Sequence, residues 1–504
     1  MNNKKKIGII ASICLVVLLV VGASYAYWTT TQTQEDENII GTTCLSLEFR
    51  DTVVGKTGVK LQKTYPISDE EGKSLEGYQF TLINRCDGYV SYTVNLESLI
   101  NNNRIALSSI NAILDDASVK TLSNYSTSTQ VLENTIADDA RFLENGILGP
   151  NGTRTYTLKI WLDKYAPDTE MNKSYSGKIT IRGEMQKEPT LASDYITALK
   201  TNGDTSLLYD ETTDNNLRYV GANPKNYVLY NNELWRIIGV MNNVDGGTVS
   251  GDDATRVKII RADLLGDIRW NTQCDLQQDG TCSAGNSSNN WNEATLKTLL
   301  NTAYLNRTVS TEYNYGKLRG QANDDWNKFD FTNIGIRSYD RSLAEAATYY
   351  LGEAPSDFSY ESLTSSDYYG VERGSYVYNA KPTSWTGVVA LMYPSDYGYA
   401  TSGGNTTNRA ACIDKALYNW NDSDVSDCKN NDWIFNNSVL QWTITTRTDS
   451  MVNVDLAAFA TTSGGVYYPT PNSNFGVRPV LYLKSIVKIA GGEGTSDNPY
   501  ILTA

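Results

Sequence analysis

The chain contains no histidine, only 12 prolines against 38 glycines, and 43 basic side chains against 57 acidic ones. Without imidazole, histidine-based triads, HExxH zinc sites and imidazole general bases are all excluded. The basic deficit gives a net charge of -14. Nucleic-acid binding needs clustered Lys and Arg to neutralise phosphates, and no such cluster occurs, so nucleic acid is not an expected partner. The Gly and Pro counts exclude collagen-like and proline-rich designs. There is no nucleophile elbow, phosphate-cradling loop or dinucleotide fingerprint. What is present is a chain of 504 residues, 40% hydrophobic and 20% charged. That composition is globular, and the length allows about three domains, with two also permitted.

The N-terminus carries the most specific local signal. Lys4, Lys5 and Lys6 precede an uncharged run, residues 7–26, that includes Ile9, Ile10 and the stretch Leu15 to Val21. This pattern predicts an export segment over residues 1–28. Ser24 and Ala26 supply small residues for a signal-peptidase cut before Tyr27. Retention is the competing reading, because a helix of this length spans roughly 30 Å and Tyr25, Tyr27 and Trp28 suit its outer interface. Under either reading the chain beyond Trp28 is expected outside the cytoplasm, secreted or membrane-anchored at the cell surface.

Cysteine usage agrees with export. Apart from Cys14 in the apolar run there are six: Cys44, Cys86, Cys274, Cys282, Cys412 and Cys428. No CxxC knuckle or histidine partner favours zinc, so structural disulfides are expected. Proximity suggests Cys44 with Cys86, Cys274 with Cys282, and Cys412 with Cys428. Free thiols are the alternative in a host that does not oxidise exported proteins.

Residues 38–188 show short period-two segments. Leu45, Leu47 and Phe49 alternate with polar residues, as do Tyr78, Phe80 and Leu82, and Val90, Tyr92 and Val94. Such alternation predicts half-buried antiparallel strands and a β-sandwich of two packed sheets. The stretch from Ser109 to Leu143 reads as more helix-permissive. A turn at Gly149 to Gly152 precedes the strand-like Tyr156 to Trp161, and Ile179 and Ile181 lie in a last strand. The export run ending Ala23-Ser24-Tyr25-Ala26-Tyr27-Trp28, the segment Asn84 to Val94, Tyr156 to Leu162 and Tyr175 to Ile181 together resemble camelysin and TasA-type biofilm matrix proteins. The resemblance implies a jelly-roll-like sandwich on a bacterial surface, in some members assembling into fibres. Some camelysin-type members are described as metallopeptidases, an activity for which this chain has no histidine and no metal motif.

Residues 189–225, polar except for a predicted helix from Ser193 to Lys200, read as a connector. The region 226–504 opens with Tyr227 to Tyr230, an Asn231-Asn232 turn and Leu234 to Val240, a hairpin signal because Asn tolerates positive φ. A helix is predicted over Asn292 to Thr302, with Asn290 or Asn292 as its cap. Strands are predicted at Val388 to Tyr393, Leu440 to Thr446, Leu456 to Ala460 and Val480 to Leu483, and Val487 to Ile489 is expected to pair with Tyr500 to Leu502. Leu234 to Gly239, Met392 to Ala400, Gly476 to Leu483 and Gly494 to Tyr500 resemble an exported bacterial domain family related to the fibrobacter-type paralogous domain. That resemblance implies a C-type-lectin-like fold, as in formylglycine-generating enzymes. Formylglycine chemistry needs a reactive cysteine pair, whereas all four local cysteines have structural partners at hand.

Three short patterns match penicillin-recognising enzymes: Ser426 to Lys429, Ser496-Asp497-Asn498 and Lys56-Thr57-Gly58. They stand in the wrong order, and the first is polar and carries Cys428, so chance accounts for them. Asp422, Asp424 and Asp427 are weak calcium candidates whose spacing departs from the EF-hand pattern, and a solvated disulfide loop is the plainer reading. An aromatic set includes Tyr368, Tyr369, Tyr376, Tyr378, Trp385, Tyr393, Tyr397, Tyr399, Tyr467 and Tyr468. Flat rings with polar tips stack on sugar faces, although the same rings serve equally as core.

The expected fold is thus mainly β with some α: an antiparallel, jelly-roll-like β-sandwich followed by an α+β C-type-lectin-like domain. The expected function is adhesion or matrix building by noncovalent, glycan-type recognition. Its ligand surface would comprise Tyr393, Asp396, Tyr397, Tyr399, Trp442, Tyr467 and Tyr468, with Arg478 a buried structural donor. No catalytic residue and no cofactor is implied. The rival is a cell-wall glycan hydrolase with paired carboxylates, chemistry that needs no histidine. Expected partners are the membrane, through residues 7–26 if uncleaved, a surface or matrix glycan, and further copies of the chain. For self-assembly, the segment 29–38 would add as a strand to a neighbour's sheet.

Overall fold

The computed structural model describes residues 29–33, 45–49, 59–62, 64–99, 102–127, 140–186, 188–245, 254–272, 289–312, 314–321, 326–353, 359–376, 381–435, 438–449 and 454–503. The apolar run at residues 7–26, Cys44, Cys274, Cys282 and Tyr378 lie outside them. Among the described residues no helix is long and apolar enough to cross a membrane. The protein is multi-domain and mixed β/α, dominated by antiparallel sheets with a few short helices. It divides into two compact units: residues 1–115 with 119–188, and residues 116–118 with 189–504.

Among the described residues the first unit holds ten strands: β1 (Thr29–Thr33), β2 (Leu45–Phe49), β3 (Val59–Gln62), β4 (Tyr78–Asn84), β5 (Tyr89–Ser98), β6 (Ile110–Leu114), β7 (Lys120–Thr121), β8 (Arg141–Leu148), β9 (Thr153–Leu162) and β10 (Ser174–Gln186). One sheet runs β1-β10-β5-β8 with β3 also on β10; the other runs β2-β4-β9-β6-β7. Alternation decides what each face buries. Phe80 and Leu82 from one sheet and Val90, Tyr92 and Val94 from the other enter a single core, completed by Tyr156, Leu158, Ile179 and Ile181. Asn84 pins the turn between β4 and β5: its buried amide nitrogen lies 2.8 to 2.9 Å from the Gly88, Leu148 and Gly149 carbonyls, while its oxygen accepts the Cys86 N–H at 2.9 Å. Cys86 is disulfide-bonded.

One expectation for this unit is corrected. The stretch from Ser109 to Leu143 is not helical where described, because β6, β7 and the start of β8 occupy it. All five residues of β6 are buried, so it is covered on both faces and shows no alternation. The segment at Thr29–Thr33 is already paired antiparallel with β10 of its own chain, Thr29 opposite Glu184 and Thr33 opposite Thr180.

The second unit begins at once after residue 188. The supposed connector contains β11 (Thr190–Leu191), the helix Ala192–Thr201, β12 (Leu207–Tyr209) and β13 (Leu217–Tyr219). Leu207, Leu217 and Tyr219 are fully buried or nearly so, and Ile196 on the helix joins the same core. Apolar residues spaced among Ser, Thr, Asp and Asn are enough to bind this polar stretch to the unit. The strands that follow are β14 (Tyr227–Tyr230), β15 (Glu233–Met241), β16 (Arg256–Arg261), β17 (Gly266–Arg269), β18 (Gly316–Leu318), β19 (Ala344–Glu345), β20 (Ala347–Tyr350), β21 (Ser384–Gly387), β22 (Gln441–Asp449), β23 (Val454–Ala460), β24 (Val466–Tyr467), β25 (Asn474–Val477), β26 (Val480–Leu483), β27 (Lys488–Gly491) and β28 (Tyr500–Thr503).

A ten-stranded sheet has the path β11-β27-β28-β14-β15-β16-β26-β19, with β13 on β15 and β12 on β13. A six-stranded sheet has the order β18-β17-β25-β22-β23-β24, and β20 and β21 form a small ribbon. The β14–β15 hairpin turns on Asn231 and Asn232 at φ 60° and 55°, the double left-handed conformation that suits a two-residue turn. Asn290 caps the short helical turn Trp291–Glu293 through the Asn292 N–H at 3.1 Å, and a helix Thr295–Leu299 follows. Only a single bridge, Ala390 to Val480, occurs where a strand was expected over Val388 to Tyr393.

Candidate functional site

The residues expected to form a ligand surface separate into an enclosed set and a half-exposed set. Tyr393, Asp396, Tyr397, Tyr399 and Trp442 each keep 2% or less of their surface. They therefore lie in the interior, contrary to expectation, and the reason is their bonding. Tyr393 precedes the helix Pro394–Tyr399, and Asp396 closes that helix's first turn by accepting the Tyr393 N–H at 2.9 Å. The same carboxylate accepts from Arg218 Nη1 at 2.8 Å and Lys258 Nζ at 2.5 Å. Arg218 also donates through Nε to Asp210 at 2.8 Å. Burial would raise the Asp396 pKa, but the Lys258 ammonium and Arg218 guanidinium hold it at about 2. Trp442 donates to the Ile268 carbonyl at 2.9 Å. Arg478 is buried and donates to the Arg261 carbonyl at 2.9 Å.

This interior supports the other set. The Tyr397 hydroxyl donates to the Gly464 carbonyl at 2.8 Å, and its ring packs on Trp420 with centroids 5.1 Å apart. Gly464 stands at φ 103°, and a Cβ on Gly465 would meet the Tyr418 carbonyl and the Tyr467 ring at 2.7 Å. The Gly464-Gly465 turn therefore lets β24 place Tyr467 against Tyr418. Tyr418 itself lies in the short helix Leu417–Asn421, inside the loop closed by the disulfide Cys412–Cys428, whose Cα atoms are 5.3 Å apart.

Four half-buried tyrosines form a continuous array here. Ring centroids are 4.6 Å apart for Tyr418 and Tyr467, 5.5 Å for Tyr360 and Tyr418, and 5.4 Å for Tyr360 and Tyr468. Tyr468 also reaches the Tyr368 hydroxyl at 3.3 Å, and Asn421 donates to the Tyr467 hydroxyl at 3.3 Å. Burial, reinforced by Tyr418, raises the Tyr467 pKa. The Tyr467 hydroxyl therefore stays protonated at neutral pH and remains a donor. Behind the rings stands Arg447 of β22, with its guanidinium carbon 4.4 Å from the Tyr360 centroid and 5.3 Å from that of Tyr468. Tyr360, Tyr418 and Arg447 were not among the expected site residues. They come from distant parts of the chain, and no spacing links them to Tyr467.

Two further groups adjoin this region. Glu372 is fully buried and accepts from the Ser395 hydroxyl at 2.5 Å and the Ser395 N–H at 3.0 Å. Burial outweighs the neighbouring Arg373 and lifts its pKa to about 7. Glu353 accepts from Lys381 Nζ and from Thr446 Oγ1, both at 2.9 Å. The calcium candidates do not converge. Asp427 accepts the Thr406 and Thr407 N–H groups at 2.7 and 3.0 Å, and Asp422 pairs with Lys415 at 3.4 Å. Among the described residues no three acidic or cysteine side chains form a metal cluster. A separate open cavity of about 310 Å³ beside the helix Ala192–Thr201 has Asp194 as its one charged lining residue.

No family model matches the chain, and no curated protein matches it. Among solved structures, the crystal structure of the infectious bursal disease virus VP2 subviral particle overlaps 32% of this chain and 33% of that one, at 9% identity and a TM-score of 0.14. The chain thus spans about a third of that structure's length, and no property passes from one to the other.

Proposed function

We propose that the protein is an exported cell-surface protein whose second unit binds glycan through the array Tyr360, Tyr418, Tyr467 and Tyr468, serving adhesion or matrix building. In this reading the first unit is a jelly-roll-like sandwich and the second a C-type-lectin-like module. One observation carries the binding role: four tyrosines remain half-buried side by side, mutually packed and fixed by a glycine turn and a disulfide loop. Such rings offer apolar faces to a sugar while their hydroxyls donate at its edges, at little cost in conformational entropy. Self-assembly is part of the same proposal. Because β1 occupies its own sheet's edge, a neighbour would be joined by exchanging that strand rather than by extending a free tail.

The test uses the full chain, exported and purified with its disulfides intact, on an array of cell-wall and matrix polysaccharides. Retention of intact glycan that falls at least tenfold in Tyr418→Ala and Tyr467→Ala, with unchanged thermal stability, is the expected result. Absence of retention overturns the proposal. Release of reducing ends that disappears on changing single Asp or Glu residues would replace it with a glycan hydrolase.

A further inference from the structure

Arg447 is a buried charge at the back of the tyrosine array. It keeps 5% of its surface, yet its Nε and Nη1 have no hydrogen-bond partner, and no acid pairs with it among the described residues. Its closest partners are the ring faces of Tyr360 and Tyr468. An enclosed guanidinium held only by ring quadrupoles recovers a small part of the hydration it has lost. Other buried arginines of this unit have polar acceptors: Arg218 is shared between two carboxylates, Arg256 pairs with Asp245 at 3.0 Å, and Arg236 and Arg478, which lack a carboxylate among the described residues, donate to amide and backbone carbonyl oxygens.

Two acids of this region are engaged elsewhere. Glu353 holds Lys381 at 2.9 Å and the hydroxyl of Thr446, the residue before Arg447. Glu372 is occupied by Ser395, with Arg373 at 3.5 Å. Neither of these two carboxylates is therefore left to neutralise Arg447, although the whole chain carries an excess of acids.

Resting on the glycan reading of the same array, we infer that the bound sugar is acidic: a uronic-acid residue stacks on the tyrosines and its carboxylate pairs with the Arg447 guanidinium. A planar carboxylate matches the guanidinium fork. Of the neighbouring cations, Lys381 and Arg373 already have their acids, and Lys429 is spent on the Asn421 and Ser463 carbonyls, which leaves the Arg447 fork as the group matched to one carboxylate.

The experiment compares, on the full chain, oligomers of galacturonate and glucuronate with their neutral methyl esters, by calorimetric titration. The acid should bind at least about tenfold more tightly than the ester, the scale of a charge-assisted pair over a neutral one. Arg447→Gln should abolish that difference between acid and ester, and Arg447→Lys should retain part of it. Equal binding of acid and ester by the unaltered chain overturns the carboxylate assignment and leaves the glycan reading standing. This comparison needs no variant, so it holds even if Arg447→Gln fails to fold. Preference for a glycerol-phosphate polymer over uronate also overturns the assignment. Failure to bind any glycan, neutral or acidic, removes the underlying reading itself.

Discussion

Arg218 donates to Asp396 at 2.8 Å, and neither residue keeps more than 2% of its surface. The pair joins β13, from the stretch expected to be a connector, to the helix Pro394–Tyr399 far along the chain. Lys258 on the same carboxylate and Asp210 on the same guanidinium make the group nearly self-neutral. Removing one member strands a buried charge, whereas the intact group is worth little more than apolar packing. Asp396→Ala is therefore expected to cost about 3 to 5 kcal/mol, measured by urea denaturation of the full chain. A loss below about 1 kcal/mol would show that water reaches the site and solvates the freed cations.

Two carboxylates with opposite shifts set the acid branch of stability. Asp396 is held at about 2 against an ordinary 3.8, so its contribution is complete above pH 3.8 and is lost as pH falls toward 2. Glu372 is lifted to about 7 from 4.5, so the folded chain keeps a proton that the unfolded chain releases. Its effect is stability present below pH 4.5 that declines as pH rises to 7, by roughly 3 kcal/mol in all. Glu372→Gln should flatten the pH profile between 4.5 and 7, read as denaturation midpoints across that range. An unchanged slope would mean that the ionised carboxylate is stabilised in place by Arg373 and Ser395.

Much of the strand pattern is legible in the sequence where one face is wet. Phe80 and Leu82, and Val90, Tyr92 and Val94, alternate because β4 and the first half of β5 each bury a single face. The Asn231-Asn232 turn is legible because few residues other than Gly accept two successive positive φ values. The pairing of Cys412 with Cys428 follows from proximity alone. Ile110 to Leu114 is illegible because continuous burial erases the period. Asp396 misleads because a carboxylate among tyrosines reads as a wet site, and only three-dimensional contact shows that Arg218 and Lys258 are waiting for it. Tyr467 and Tyr468 are legible as aromatic candidates, but Arg447 is not, since nothing in its neighbours signals that its charge is unmatched.

The disulfide loop offers a separate lever on the array. Residues Cys412 and Cys428 enclose Tyr418, and Trp420 inside the loop is fully buried and donates to the Cys412 carbonyl at 3.3 Å. A cross-link over a loop of this size is worth about 3 kcal/mol. Cys412→Ser with Cys428→Ser should lower the denaturation free energy by that order. It should also weaken glycan retention more than a remote change of equal cost, because Tyr418 loses its fixed position. Equal losses from the two kinds of change would separate the loop from the array.

The hairpin turn tests the same logic at the level of the backbone. Asn231 and Asn232 both occupy the left-handed region, which costs an L-residue with a Cβ about 1 kcal/mol and a β-branched one more. Asn232→Gly should be neutral or slightly stabilising, while Asn232→Val should destabilise by about 1 to 2 kcal/mol. Asn231 carries an additional duty, since its side-chain oxygen accepts the Arg337 N–H at 2.8 Å. Asn231→Gly should therefore cost more than Asn232→Gly although both ease the backbone. Urea midpoints of the two glycine variants decide this: if they coincide, the bond to Arg337 adds nothing and the turn acts through its dihedral angles alone.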